Sequence, residues 1–279
     1  MKRTVRSLCA TAVMVGAMHA SAEAVSAESR RDPAVGAVRD LGSATLDGQP
    51  DGAGGCEFDG TVRISDGFIQ ARETALDVAN CRLTLHFDTP SGLVAPRQIY
   101  LLPTARTSVV TSTLPLPLPL QLVADPVPKA ATGKTYWEDP PGIDVNSVTA
   151  DVAFDSDGAC ASAGAHSSAG TDGYFVPSGW SRDFFNQSPS ADCAGVRHAL
   201  DAQYTNNAFC TAADTAIGGP IGAAYAGTLP PTRTFYQPTI LTGRPDGLAE
   251  LYWNAAKSGN CQRLLSFGYS LNNSPSSVK

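Results

Sequence analysis

Glu138 and Asp139 stand side by side behind Tyr136 and Trp137 in the stretch TYWEDPPGIDVN, and Asp144 and Asn146 follow within a few residues. Two carboxyl groups that face each other roughly 5 to 10 Å apart can supply the acid and the base or nucleophile of glycoside hydrolysis. Oxygens from neighbouring loops can instead ligate calcium, and Asp144, Asp155 and Asp157 offer such oxygens. The DSDG at 155–158 shares the start of a calcium loop but lacks its third acidic position before the glycine and its distal glutamate. A turn accounts for the same residues, because Asp and Gly tolerate its backbone. Tyr136, Trp137 and Trp180 add flat rings on which apolar sugar faces could stack, although in disulfide-bonded β proteins such rings usually serve core packing. The binding candidates are therefore Tyr136, Trp137, Glu138, Asp139 and Trp180. The metal candidates are Asp144, Asp155 and Asp157, with calcium as the cation and no organic cofactor.

Other chemistries lack their residues. Downstream of a leader described below, three histidines occur, His86, His166 and His198, and no G-x-S-x-G or H-E-x-x-H accompanies them. Lys and Arg form no patch or stripe, which argues against nucleic acid or an anionic membrane surface as a partner. Arginine outnumbers lysine, a composition typical of GC-rich bacterial genomes.

The chain opens with Lys2, Arg3 and Arg6 and an apolar run from Leu8 to Met18, too short for the roughly 20 residues of a membrane span. Ala20, Ser21 and Ala22 fit a signal-peptide cleavage site, so residues 1–22 read as a secretory leader, with Ala27 a second possible start. No later segment is long and apolar enough to span a bilayer. Removing the leader takes the net charge from −6 to −9 and leaves Cys56, Cys81, Cys160, Cys193, Cys210 and Cys261. An even count in an exported chain points to disulfides, and the absence of a C-x2-C pair argues against thiolate metal sites. Short loop closure favours Cys56–Cys81 and Cys193–Cys210, leaving Cys160–Cys261, each worth about 3 to 4 kcal/mol in the chain-entropy model.

Residues 23–54 are small, polar and without sustained period, the composition of a mobile arm, so the ordered body is expected from residue 55. From there strands dominate. CRLTLHF sets Cys81, Leu83, Leu85 and Phe87 on one face, and VNSVTADVAF and LLSFGYSL alternate in the same way. GTVRIS runs into Asp66-Gly67, a hairpin dipeptide. Val196, Leu200 and Tyr204 fit helical spacing, yet His198 and Ala202 complete a strand alternation that the β surroundings favour. TLPLPLPLQLVADPVP cannot be helix or central strand, because Pro115, Pro117 and Pro119 remove alternate donors. It reads as an extended spacer between possible sub-modules 55–125 and 130–272. A pattern D-G-x12-N-C-x3-L-x-F occurs at Asp66 and again at Asp246, the spacing of a repeated strand–turn–strand unit.

The expectation is a secreted, disulfide-stabilised, mostly antiparallel β-sandwich with few or no helices, one large domain or two small ones. It would act without catalysis, binding an extracellular carbohydrate or protein ligand or serving a structural role. The alternative is an extracellular hydrolase built on Glu138 and Asp139.

Overall fold

Alternation of apolar and polar residues is the dominant local signal, and the backbone obeys it. The computed structural model describes residues 38–52, 54–114, 127–140, 142–164, 168–206, 233–257 and 264–275. Its strands in chain order are β1 (Arg39–Asp47), β2 (Gln49–Pro50), β3 (Cys56–Ile64), β4 (Gly67–Asp77), β5 (Arg82–Thr89), β6 (Ile99–Leu102), β7 (Ser108–Ser112) and β8 (Val127–Glu138). There follow β9 (Asp144–Ser156), β10 (Ala161–Ala163), β11 (Ala169–Tyr174), β12 (Trp180–Asp192), β13 (Gly195–Asn206), β14 (Arg233–Gly243), β15 (Ala249–Lys257) and β16 (Ser266–Pro275). A 3-10 turn at Val176–Ser178 precedes β12. The segment open to a helical reading is β13, where Val196, His198, Leu200, Ala202 and Tyr204 all turn inward.

Two antiparallel sheets form the sandwich. One, sheet A, has nine strands in the order β10-β9-β8-β16-β4-β5-β1-β7, with β11 also on β9. The other, sheet B, runs β12-β13-β14-β15-β3-β2, with β6 also on β3. Strands from either side of the proline-rich segment interleave in both sheets: β3 pairs with β15 and β4 with β16. These pairings describe one large domain. The prolines at 115, 117 and 119 lie outside the described residues. Pro238 sits in β14 where pairing with β15 has not yet begun, and Pro189 lies on the edge strand β12, so neither deprives a ladder of a needed donor.

Aromatic rings fill the core. Trp253 stacks on Tyr269 at 5.6 Å between centroids, Phe267 lies 5.1 Å from Trp253, and Trp137 meets Phe267 edge-on at 5.5 Å. Each such ring contributes roughly 2 to 3 kcal/mol on burial. Between the sheets a polar bridge joins Thr135 of β8 to Thr239 of β14 at 2.6 Å, and the Gln237 amide donates to Thr135 Oγ1 at 2.8 Å.

Three expectations are corrected. The arm assigned to 23–54 contains β1, which pairs with both β5 and β7 and buries Leu41, Ala44 and Leu46. A bulge between Asp40 and Gly42 shifts the alternation by one residue and so hides it from a period-two reading. Cys193 bonds Cys160, not Cys210, because the β9–β10 and β12–β13 turns come together and outweigh closeness in sequence. Cys56–Cys81 is formed as expected, while Cys210 and Cys261 lie outside the described residues. Asp66-Gly67 closes no hairpin: it carries the chain from β3 in one sheet to β4 in the other. Gly67 takes φ +137, and a Cβ there would fall 2.5 Å from Pro96 N. Its counterpart Asp246-Gly247 does join neighbouring strands of one sheet, β14 and β15. The two Asp-Gly steps therefore take different paths, and what the two stretches share in the fold is the buried pair Leu85 and Phe87 against Leu265 and Phe267, not a repeated strand–turn–strand unit.

Candidate functional site

The carboxylates of TYWEDPPGIDVN part company in the fold. Asp139 serves the β8–β9 turn, its Oδ1 accepting from the Ile143 amide at 2.8 Å and its carbonyl from the Gly142 amide at 2.8 Å. Glu138 points to the outer face of the nine-stranded sheet. Burial pushes its carboxyl above the usual range, opposed by Arg72 and Lys134 and reinforced by Asp144 and Asp139. Asp88 is raised too, again chiefly by burial, with Arg72 and His86 opposing. In register Glu138 and Asp88 are three strands and four residues apart, about 20 Å of sheet, well beyond the separation a glycosidase pair needs.

The metal candidates are likewise dispersed. Asp144 and Asp155 sit near opposite ends of β9, about 36 Å apart at the rise of a strand, so they cannot share an ion. Asp144 pairs with Lys134. Asp157 Oδ1 accepts from the amides of Ala159 and Cys160 at 2.9 and 2.6 Å, and these bonds hold its carboxyl below the ordinary value. Among the described residues no three His, Cys, Asp or Glu side chains converge as a metal cage.

His86 does acquire neighbours. Ser43 Oγ lies 3.5 Å from its Nδ1 and Asp40 Oδ1 3.7 Å from its Nε2. The residue types are those of a serine hydrolase, but the Asp40 side chain is 73% exposed, and the Ser43 amide that might steady an oxyanion already donates to Thr113 Oγ1. His198 is buried in the sandwich, and His166 lies outside the described residues.

The proposed aromatic platform is internal. Trp137 and Trp180 are each 2% exposed and flank the Phe235 ring at 6.0 and 4.7 Å. Tyr136 points outward but is 3% exposed, because its ring lies over Gly268, its register partner. A Cβ on Gly268 would come within 2.4 Å of that ring. Tyr136 Oη hydrogen-bonds the Gln70 amide at 2.9 Å. Burial pushes this phenol up to about 12. No ring face remains for stacking at these three residues.

Tyr174 and Phe175 at the end of β11 are 38% and 39% exposed, but a set of outward rings that spans several strands lies on the other sheet, where a local rule identifies it. The sequence holds four adjacent aromatic pairs within strands: Tyr136-Trp137, Phe184-Phe185, Phe235-Tyr236 and Tyr252-Trp253. Because a strand alternates sides, each pair sends one ring inward and one outward. The inward members pack the core, and the outward members Phe184, Tyr236 and Tyr252 all reach the outer face of the seven-stranded sheet. Tyr236 is 51% exposed, with its centroid 6.4 Å from Phe184. Its hydroxyl donates to Asp201 Oδ1 at 2.7 Å, and partial burial, reinforced by that bond, pushes the phenol up to about 12. Tyr252 is half-buried, and its hydroxyl makes a long 3.5 Å bond to Asp59 Oδ2. Asp59 is fixed in turn by Thr104 Oγ1 at 2.6 Å and Thr107 Oγ1 at 3.1 Å. Gln203 and Asn254 occupy outward positions among these rings. No family model, curated protein or solved structure matches this chain.

Such a face can bind. Aromatic rings supply stacking area, carboxylates hold the phenol hydroxyls in place, and amides offer donors and acceptors together. A sequence reading could have found it by asking which member of each aromatic doublet shares the phase of the polar residues.

Proposed function

We propose that the protein is a secreted, non-catalytic binding protein that recognises glycan through the outer face of its seven-stranded sheet. The observation that carries this reading is the half-exposed Tyr236, set beside Phe184 and oriented by Asp201 on a face otherwise rich in amides and carboxylates. Export is supported by two disulfides, which persist in oxidising compartments, and by the leader-like residues 1–22. Among the described residues no helix is long and apolar enough to cross a membrane. A hydrolase centred on Glu138 has weaker support, since Asp139 is committed to a turn and Asp88 lies too far away to complete a pair.

The test is a thermal-unfolding scan of the protein from residue 23 onward with a panel of cell-wall and plant polysaccharides, in calcium and in chelator. A ligand that binds only the native state raises the midpoint by mass action, about 2.7 kcal/mol at a hundredfold excess over Kd. The rise is expected with at least one glycan and is lost in Tyr236→Ala. A panel that leaves the midpoint unmoved overturns the reading.

A further inference from the structure

From the positions of the outward rings we infer that the ligand is an uncharged, linear polysaccharide laid diagonally across the seven-stranded sheet; this rests on the glycan reading above. Register fixes the diagonal. Phe184 on β12 is level with Tyr236 on β14, both being opposite Gln203 of β13. Tyr252 on β15 is opposite Ile240, four residues further along β14. Leu102 on β6 extends the row through Thr61, the partner of Tyr252. From Tyr236 to Tyr252 is one strand across and four residues along, about 14 Å. No single sugar ring spans that, so contact with both requires a chain. From Phe184 to Leu102 the track crosses six strands and is about 28 Å long. The track crosses successive strands of one sheet face, which suits an internal stretch of polymer more than a chain end.

The charge on the track selects against anions. Asp201 and Asp59 lie beside the two tyrosines, and Asp183 accepts from Gln203 and Thr205 next to Phe184. Of the arginines on this face, Arg63 and Arg244 pair with Glu250 and Arg106 with Glu57, and Arg197, which has no carboxylate partner among the described residues, lies off the diagonal, six residues along β13 from Gln203. Because each phenol donates its proton to a carboxylate, its lone pairs are left to accept from sugar hydroxyls.

The experiment measures affinity by calorimetry for cello-, xylo- and manno-oligosaccharides from two to eight units, and for polygalacturonate at two salt concentrations. Tyr236→Ala and Tyr252→Ala are run beside the wild type, with their melting midpoints as the fold control. The expected result is affinity that rises tenfold or more from the disaccharide to the longer members of one neutral series, insensitive to salt. Tyr252→Ala should reduce long-chain affinity to the short-chain value and leave the short chains unchanged. Affinity that plateaus at a disaccharide, or a preference for polygalacturonate that weakens with salt, overturns the diagonal neutral track but leaves the glycan reading standing. Absence of binding by every glycan removes both.

Discussion

Lys257 is the side chain whose environment departs furthest from its chemistry. It is fully buried, its ammonium 2.5 Å from Glu73 Oε2 and 4.7 Å from the Trp137 ring centroid, and it donates to the Leu265 carbonyl. Burial lowers its pKa, and Glu73 opposes that shift. Glu73 Oε2 also accepts from the Phe267 amide at 2.9 Å, so the pair ties β15 of one sheet to β4 and β16 of the other. Breaking one partner strands a charge, whereas replacing both removes the desolvation penalty with the attraction. Glu73→Ala should therefore cost about 3 to 5 kcal/mol in urea unfolding, and Glu73→Leu with Lys257→Met should recover most of that. Equal losses in single and double variants would show that the pair is not what holds the site. Half of this feature was legible: Lys257 shares the inward phase of Leu251, Trp253 and Ala255. The other half was not: Glu73 follows the inward phase of Ile69 and Ala71, opposite Leu85, but no sequence pattern announces which cation of the other sheet faces it.

Strand existence was readable wherever alternation ran unbroken, as in β5, β9, β13 and β16. It failed where a bulge or a long-range pairing decided the outcome. In β1 the phase slips at Gly42, and a strand that fills the space between β5 and β7 resembled a tail. Leu46 is fully buried there, so Leu46→Ala should cost about 2 to 5 kcal/mol. An arm outside the body would show no change, and urea midpoints distinguish the two. Disulfide pairing failed for a related reason: loop entropy ranks partners by sequence distance, while the hairpins choose them by position. Peptide mapping without reduction should recover Cys56 linked to Cys81 and Cys160 linked to Cys193. A peptide joining Cys193 to Cys210 would contradict the placement of those two turns.

For the molecule as a whole, five of the seven tyrosines among the described residues, Tyr136, Tyr204, Tyr236, Tyr252 and Tyr269, have pKa values raised, each first by burial. A phenol whose folded pKa exceeds its unfolded value near 10 contributes stability that is complete below that pH and is lost as pH rises through the folded value. Stability should hold to about pH 10 and decline toward pH 12 and beyond, the range set by Tyr136 and Tyr236 at about 12. Followed together, the last part of the phenolate absorbance should rise with the loss of circular dichroism, because the most buried rings ionise only on unfolding. Phenolate absorbance that saturated while the dichroism stayed native would contradict this. The sandwich class was legible in the sequence because period two dominates it. The proposed binding face was not, because the conspicuous rings Trp137 and Trp180 are the ones the core claims.

The place of β16 bears on the order in which the chain can fold during synthesis. It lies between β8 and β4, and in the strand order it alone joins β10-β9-β8 to β4-β5-β1-β7. Until residue 275 has left the ribosome, those two groups of strands have no common ladder and Tyr269 is missing from between Phe87 and Trp253. Pairing over such sequence distances is slow to form and late to be rewarded. A nascent chain therefore stays unlocked until β16 arrives, so through most of synthesis the two groups of strands meet without a shared register.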